Sequence, residues 1–275
     1  MKHVVLYSGG HASALTAVEV VRKFGKEDVI LLNHDISEKV EHSDIKRFKR
    51  EVADYLGLTI TYANAEGFKE LTPLAVCKQV GAFTGNGNRG NTLRTYYLKT
   101  KPFHEWLAAG YPVEKGKVRD DVEFLYGFSR EEIARIQRRT GIMLAMGYRT
   151  DYPLARYERT IQNIEEIGIK LPVIYQVFKH ANCTGCLKAG KASWYATYCL
   201  RRDIFDEACT AEKEIGYSIL PDVFLEELIP LFKSMKRRGI CPSDKGNIQA
   251  FGVEVHQYLP GQLTLFDTPC ECALY

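Results

Sequence analysis

Lys2-His3-Val4-Val5-Leu6-Tyr7-Ser8-Gly9-Gly10-His11-Ala12-Ser13 decides how this chain is read. An apolar run over Lys2–Tyr7 predicts a short buried strand. The turn Ser8–Ser13 follows, and then Leu15, Val18, Val20, Val21 and Phe24 recur at helical spacing over Ala14–Phe24. A glycine turn between a strand and a helix exposes backbone N–H groups, and the helix dipole adds partial positive charge. Gly9 and Gly10 let backbone approach an anion closely, and the hydroxyls of Ser8 and Ser13 add donors. Such a turn suits a phosphate or pyrophosphate, although the same glycines can simply make a tight turn. Its position on strand one matters, because ligands of open α/β sheets bind at the carboxyl ends of the strands. No Gly-Lys-Ser/Thr follows, so the turn is not a Walker A loop, and it is not GxGxxG.

Working outward, Val29–Asn33 and Thr59–Tyr62 predict two further strands, separated by an amphipathic helix over Ser43–Leu56 with Ile45, Phe48, Val52 and Tyr55 on one stripe. This βαβαβ order implies a parallel sheet covered by helices on both faces. Residues 82–91 are rich in Gly and Asn and read as a loop. Thr92–Ala109 reads as a helix in which Pro102 should start a new turn or make a kink. Val122–Gly127 is a fourth strand, and Ser129 with Glu132 forms a capping box for a helix to Thr140. Tyr157–Ile167 is expected to be helical, as is the stretch from Pro221 to about Lys236, with an irregular tail beyond it.

Composition narrows the class. Hydrophobic residues are 45% and charged residues 26%, as in soluble globular chains. A net charge of +3 does not demand nucleic acid, though it allows a local basic patch. Trp194, Tyr195, Tyr198, Arg201 and Arg202 could stack on bases, but at helical spacing they read as a packed stripe. No stretch of 18 apolar residues exists, and the N-terminal run is too short for a signal peptide. The expectation is therefore a cytoplasmic protein without a membrane span, whose eight cysteines stay reduced. Cys183 and Cys186 form a CxxC with His180 just upstream, and this spacing can hold a metal or a cluster corner. Zinc would need two further ligands, for which His180, Cys199 and Cys209 are candidates. A 4Fe-4S cluster would draw on Cys77 and Cys199. Two core thiols are the alternative for the pair.

Several segments together resemble one family. Ser8–Ser13 looks like SGGxxS, the PP-loop of the ATP-pyrophosphatases and the phosphoadenosine phosphosulfate (PAPS) reductases. Asn33-His34-Asp35-Ile36-Ser37-Glu38 resembles that family's aspartate-containing turn. Asn91-Thr92 with Leu98–Phe103 resembles its "CT…LK…P" segment, and Gly127–Glu132 with Arg135 and Arg138 its "G…E…R" segment. Asn182-Cys183-Thr184-Gly185-Cys186 with Lys188, Gly190 and Trp194 resembles an "NCxGCxKxG…W" segment of reductase-like proteins, many carried by phages and mobile elements. The likeness spans roughly residues 3–220. Five weak matches in the same order make a strong one.

The resemblance implies a Rossmann-like (HUP-type) parallel α/β sheet flanked by helices over residues 1–175. A Cys-bearing helical C-terminal region would occupy 176–275. It implies binding of ATP or a PAPS-like adenine nucleotide, with phosphates on Ser8, Gly9, Gly10 and Ser13, adenine on the backbone of Leu32 and Asn33, and Gly127 beside them. Asp35, with Glu38 as a lesser candidate, would organise Mg²⁺. Lys99 and Arg135 would be catalytic, stabilising charge as a substrate oxygen displaces pyrophosphate from the α-phosphorus. Cys183, Cys186 and Cys199 would hold a 4Fe-4S cluster or Zn²⁺. The sequence departs from the family at two places: Ala12 stands where many PP-loops carry Asp, and Asn91 stands for the cysteine of "CT". The terminal redox cysteine motif of PAPS reductases is not evident; Cys270-Glu271-Cys272 is a poor match. The expected function is an adenine-nucleotide enzyme that adenylates an unidentified acceptor or acts on an adenylyl sulfate. A non-catalytic nucleotide-binding partner in nucleic-acid modification or phage defence is the alternative. Either is compatible with a homodimer.

Overall fold

The computed structural model describes residues 1–83, 93–181, 183–221 and 223–245. Five parallel strands form one sheet: β1 (Lys2–Leu6), β2 (Val29–Asn33), β3 (Ile60–Tyr62), β4 (Val122–Leu125) and β5 (Arg149–Asp151), in the order β3-β2-β1-β4-β5. The architecture is the expected Rossmann-like α/β one. The chain builds outward from β1 to β3 and then returns to the other side of β1, so the strand order reverses between β1 and β4. At such a reversal the flanking loops diverge and leave a crevice at the carboxyl ends of the strands.

Strand alternation explains the layers. Val5 and Tyr7 face a cluster formed with α1 (His11–Phe24) and α2 (Ser43–Leu56), through Leu15, Val18, Phe48 and Val52. Val4 and Leu6 face the opposite cluster, with Phe103 and Leu107 of α4 (Lys101–Gly110) and Met143 of α5 (Ile133–Ala145). Both faces are covered, so the central strand is apolar on both sides. A third cluster joins α3 (Pro73–Val80) to α7 (Lys191–Leu200), α8 (Arg202–Ile215) and α9 (Ile229–Arg237). It draws on Leu74 and Cys77 as well as on Trp194, Phe205 and Phe232, so packing is continuous across residue 175. Trp194, Tyr195 and Tyr198 are buried there, as a packed stripe requires. No helix among the described residues is long and apolar enough to cross a membrane.

Some expectations need correction. Tyr157–Ile167 is not an α-helix; only Ile164–Ile167 makes a 3-10 turn, after the short α6 (Pro153–Arg156). The buried Glu19 carboxylate accepts the N–H groups of Thr160 at 2.8 Å and Ile161 at 3.2 Å, which removes donors an α-helix there would need. Beyond Pro221 the helix begins late, with a 3-10 turn at Leu225–Leu228 leading into α9. There Leu225 N–H donates to the buried Glu212 carboxylate at 2.7 Å. Pro102 starts a new turn, one of its two expected effects: a π-turn over Tyr96–Thr100 precedes it, α4 begins at Lys101, and Lys101 N–H reaches Tyr96 O. On α2 Tyr55 is half exposed, and the buried stripe runs instead through Ile45, Phe48, Lys49, Val52, Ala53 and Leu56. The Ser129–Glu132 capping box forms as expected, with Ser129 N–H donating to Glu132 Oε2 at 2.9 Å.

Candidate functional site

The turn Ser8–Ser13 sits at the carboxyl end of β1, in the crevice between β1 and β4. Ser13 Oγ donates to Gly10 O at 2.8 Å, and Ser8 Oγ donates to Ser13 Oγ at 3.2 Å. Gly10 N–H points at Ser8 Oγ, 3.4 Å away. The two hydroxyls therefore face one another across the turn, and the N-cap residue Gly10 has no side chain to cap the start of α1. Ala12 and Ser13 lie in the first helical turn, where backbone N–H groups have no intrahelical acceptor.

Two glycines make this geometry possible. Gly9 adopts φ 81°, and a Cβ there would lie 2.6 Å from Lys49 Cγ. A Cβ on Gly127, at the carboxyl end of β4, would lie 2.9 Å from Ala12 O and 3.0 Å from Thr16 Oγ1. The loop after β4 thus presses directly on the first turn of α1, and Gly127 is brought to the turn as the sequence implied.

Beside Gly127, Phe128 carries the guanidinium of Arg135 at 4.5 Å from its ring centroid. Arg135 Nη1 pairs with Glu132, while Nε and Nη2 are buried without a hydrogen-bond partner among the described residues. Unspent buried donors on a cation suit an anionic ligand. Lys99 is half-buried in the π-turn, near enough to His34 for its charge to disfavour the protonated imidazole. His34 itself is buried. Desolvation, more than Lys99, pulls it down to about 4. Its Nδ1 faces the Ala63 carbonyl, which fixes the Nδ1–H tautomer and leaves Nε2 as an acceptor.

The two residues expected to meet adenine, Leu32 and Asn33, are less open. Leu32 O accepts Tyr7 N–H at 2.8 Å and Asn33 O accepts Ala63 N–H at 3.0 Å, so both carbonyls belong to the ladder and offer one remaining lone pair each. Asn33 Nδ2 donates to Tyr7 O, and its buried Oδ1 has no partner among the described residues.

Asp35 does not fit a Mg²⁺ ligand as placed. Lys46 Nζ bonds both its carboxylate oxygens, at 3.0 and 3.1 Å, and Lys49 Nζ lies 3.4 Å away. Glu38, 83% exposed, lies at the rim of the same group, 3.7 Å from Lys46 Nζ. Glu41, 7% exposed, receives Lys49 at 3.0 Å. Burial pushes the Glu41 carboxyl up, and the Lys49 charge opposes that shift. The sequence reading missed this group, although a lysine inside the apolar stripe of α2 was its visible signal. His11, within the turn, is half-buried and its Nε2 accepts Ile164 N–H at 3.3 Å.

Comparison of the chain with protein-family models, curated proteins and solved structures gives no match.

The cysteine segment borders the same edge of the sheet, since Thr184 N–H donates to Val40 O at 2.9 Å. Cys77, Cys183, Cys199 and Cys209 all pack in or against the third core cluster. Among the described residues no three His, Cys, Asp or Glu side chains converge to hold a metal. Burial also pushes the Cys199 thiol up and the Cys209 thiol up to about 11. Among the described residues the side chains do not assemble the donor set that a cluster or zinc requires. Asn91, Thr92, Asn182, Cys270 and Cys272 lie outside the described residues.

Proposed function

We propose that the protein is an adenine-nucleotide-binding enzyme of the PP-loop type, which adenylates an acceptor with release of pyrophosphate or acts on an adenylyl sulfate. One observation carries the reading: the Ser-Gly-Gly turn lies at the β1–β4 reversal and runs into the first turn of α1, whose Ala12 and Ser13 N–H groups have no intrahelical acceptor, while Gly127 lets the loop after β4 approach that turn closely. The phosphates would accept from the backbone N–H groups of Ala12 and Ser13 and from the hydroxyls of Ser8 and Ser13. Arg135, stacked on Phe128 with two unspent donors, would bind the charge that develops on the phosphate oxygens. Lys99 would approach from the β2 side, and the adenine would lie near the ends of Leu32 and Asn33.

A second reading follows from Asp35. Its carboxylate is held by Lys46 and Lys49, and Ala12 adds no acid, so these positions supply no ready Mg²⁺ ligand. Nucleotide binding without turnover, in the service of a partner complex, is consistent with that arrangement.

Titration calorimetry with ATP and with PAPS tests the common element. Wild type should bind one of them, and the double variant Ser8→Ala/Ser13→Ala should lose that binding; retained affinity would remove the loop assignment. Pyrophosphate release measured across candidate acceptors then separates the enzyme from the silent binder.

A further inference from the structure

Between the 3-10 turn Val173–Gln176 and Ala181, a strap of chain reaches the Ser8–Ser13 turn with one side chain. Tyr175 Oη accepts His11 N–H at 2.9 Å, across 164 residues of sequence. Its oxygen lies 3.5 Å from where a Cβ on Gly10 would stand. A phenol oxygen has two lone pairs and one proton, so the bond accepted from His11 leaves the O–H to give.

The strap is pinned rather than loosely draped. Val173 N–H donates to Asp44 Oδ2 at 2.7 Å, and Lys179 N–H donates to Asp244 Oδ1 at 2.7 Å. Asp244 Oδ2 also accepts Ser193 Oγ at 2.6 Å, and Ser243 Oγ donates to Val177 O at 2.6 Å. A side chain held on both flanks is suited to pre-organised binding, because little ordering remains to be done when the ligand arrives.

We propose that Tyr175 is a phosphate-binding residue of the site, its hydroxyl donating to a non-bridging oxygen of a nucleotide phosphate seated on Ser8–Ser13. This rests on the nucleotide reading of that turn. Burial keeps the phenol protonated at neutral pH, and the His11 N–H it accepts polarises the O–H towards the phosphate. A residue that merely caps α1 would behave in the opposite way. Removing a cap would free His11 N–H for the phosphate and leave binding equal or tighter.

The sign of the effect of Tyr175→Phe therefore decides. The full chain is titrated with α,β-methylene-ATP and with adenosine 3′,5′-bisphosphate, as wild type, Tyr175→Phe and Ser8→Ala/Ser13→Ala. The dissociation constant is read, since unlike the stoichiometry it does not depend on the fraction of molecules folded. Tyr175→Phe should weaken the ligand that wild type binds by about tenfold, the effect of one hydrogen bond to a charged group. Unchanged or tighter binding in Tyr175→Phe, with binding lost in the double serine variant, overturns the role of Tyr175 and leaves the loop assignment standing. If wild type binds neither probe, or the double variant binds as well as wild type, the nucleotide reading falls and the inference falls with it.

Discussion

Replacing Gly127 by Ala tests the close approach on which the crevice depends. The added methyl would stand 2.9 Å from Ala12 O, 3.0 Å from Ala12 C and 3.0 Å from Thr16 Oγ1. Relief requires a displacement of ~0.5 Å, because a carbon needs roughly 3.5 Å to reach an unstrained contact. The first turn of α1 resists that displacement. Ala14 N–H is bonded to Gly10 O at 3.0 Å, and Thr16 Oγ1 donates to Ala12 O at 2.9 Å. Overpacking of this kind costs about 1–3 kcal/mol. Loss of glycine's freedom in the unfolded chain returns about 0.4–1 kcal/mol. The expected net loss is about 1–2 kcal/mol, read as a lower denaturant midpoint at unchanged slope.

Gly141→Ala is the matched control. Gly141 lies within α5, and a Cβ there meets nothing within 4 Å. That substitution should stabilise the protein by about 0.5–1 kcal/mol. Under the proposed function the ligand affinity of Gly127→Ala should also fall, because the strain is relieved by moving the turn proposed to bind phosphate. If Gly127→Ala matches or exceeds wild type in stability while Gly141→Ala gains, the β4 loop does not press on α1, and the geometry of the crevice is wrong.

Two further outcomes are expected. His34, buried and drawn from its ordinary 6.5 to about 4 chiefly by desolvation, is neutral in the folded protein. The unfolded chain protonates it below about 6.5, so its contribution is lost as pH falls from 6.5 towards 4, by about 3 kcal/mol in all, and changes no further below that. Unfolding free energies of wild type and His34→Asn across this range should differ by an amount that shrinks with acid; a constant difference would refute the assignment. Lys49→Met removes the cation from a 2%-exposed ion pair and strands Glu41, which should destabilise the protein by about 3–5 kcal/mol. Adding Glu41→Gln should restore part of that loss, and strict additivity of the two changes would show that they do not form one unit.

The sheet was legible because its signal is local. Apolar runs such as Val29–Asn33, separated by a helix of period 3.6, determine a parallel βαβ unit without reference to distant residues. β5 escaped notice because Arg149-Thr150-Asp151 is polar and three residues long; it is a strand only because β4 offers it a ladder. The expected helix at Tyr157–Ile167 failed for the complementary reason. Its apolar spacing is real, and Ile161 and Ile164 are buried, but Glu19 on α1 takes the N–H groups that would have made the helix. In each case a tertiary partner overrode a local pattern.

The same division runs through the site. Ser8, Gly9, Gly10 and Ser13 are contiguous, so their chemistry could be read directly from the chain. Lys49 could not be assigned in that way, because its meaning depends on a glycine forty residues earlier. Gly9 needs φ 81° to turn the chain, and the room left by its missing Cβ is filled by the Lys49 stem. That stem then carries its ammonium group to Asp35 and Glu41. A carboxylate that looked free to take a metal in sequence is thereby occupied by a lysine in the fold. The polar residue on the apolar stripe of α2 is therefore what joins the turn to the acidic loop after β2. Substitutions at Lys49 should consequently disturb both the Ser8–Ser13 turn and Asp35, while substitutions at the rim residue Glu38 should leave the turn unmoved.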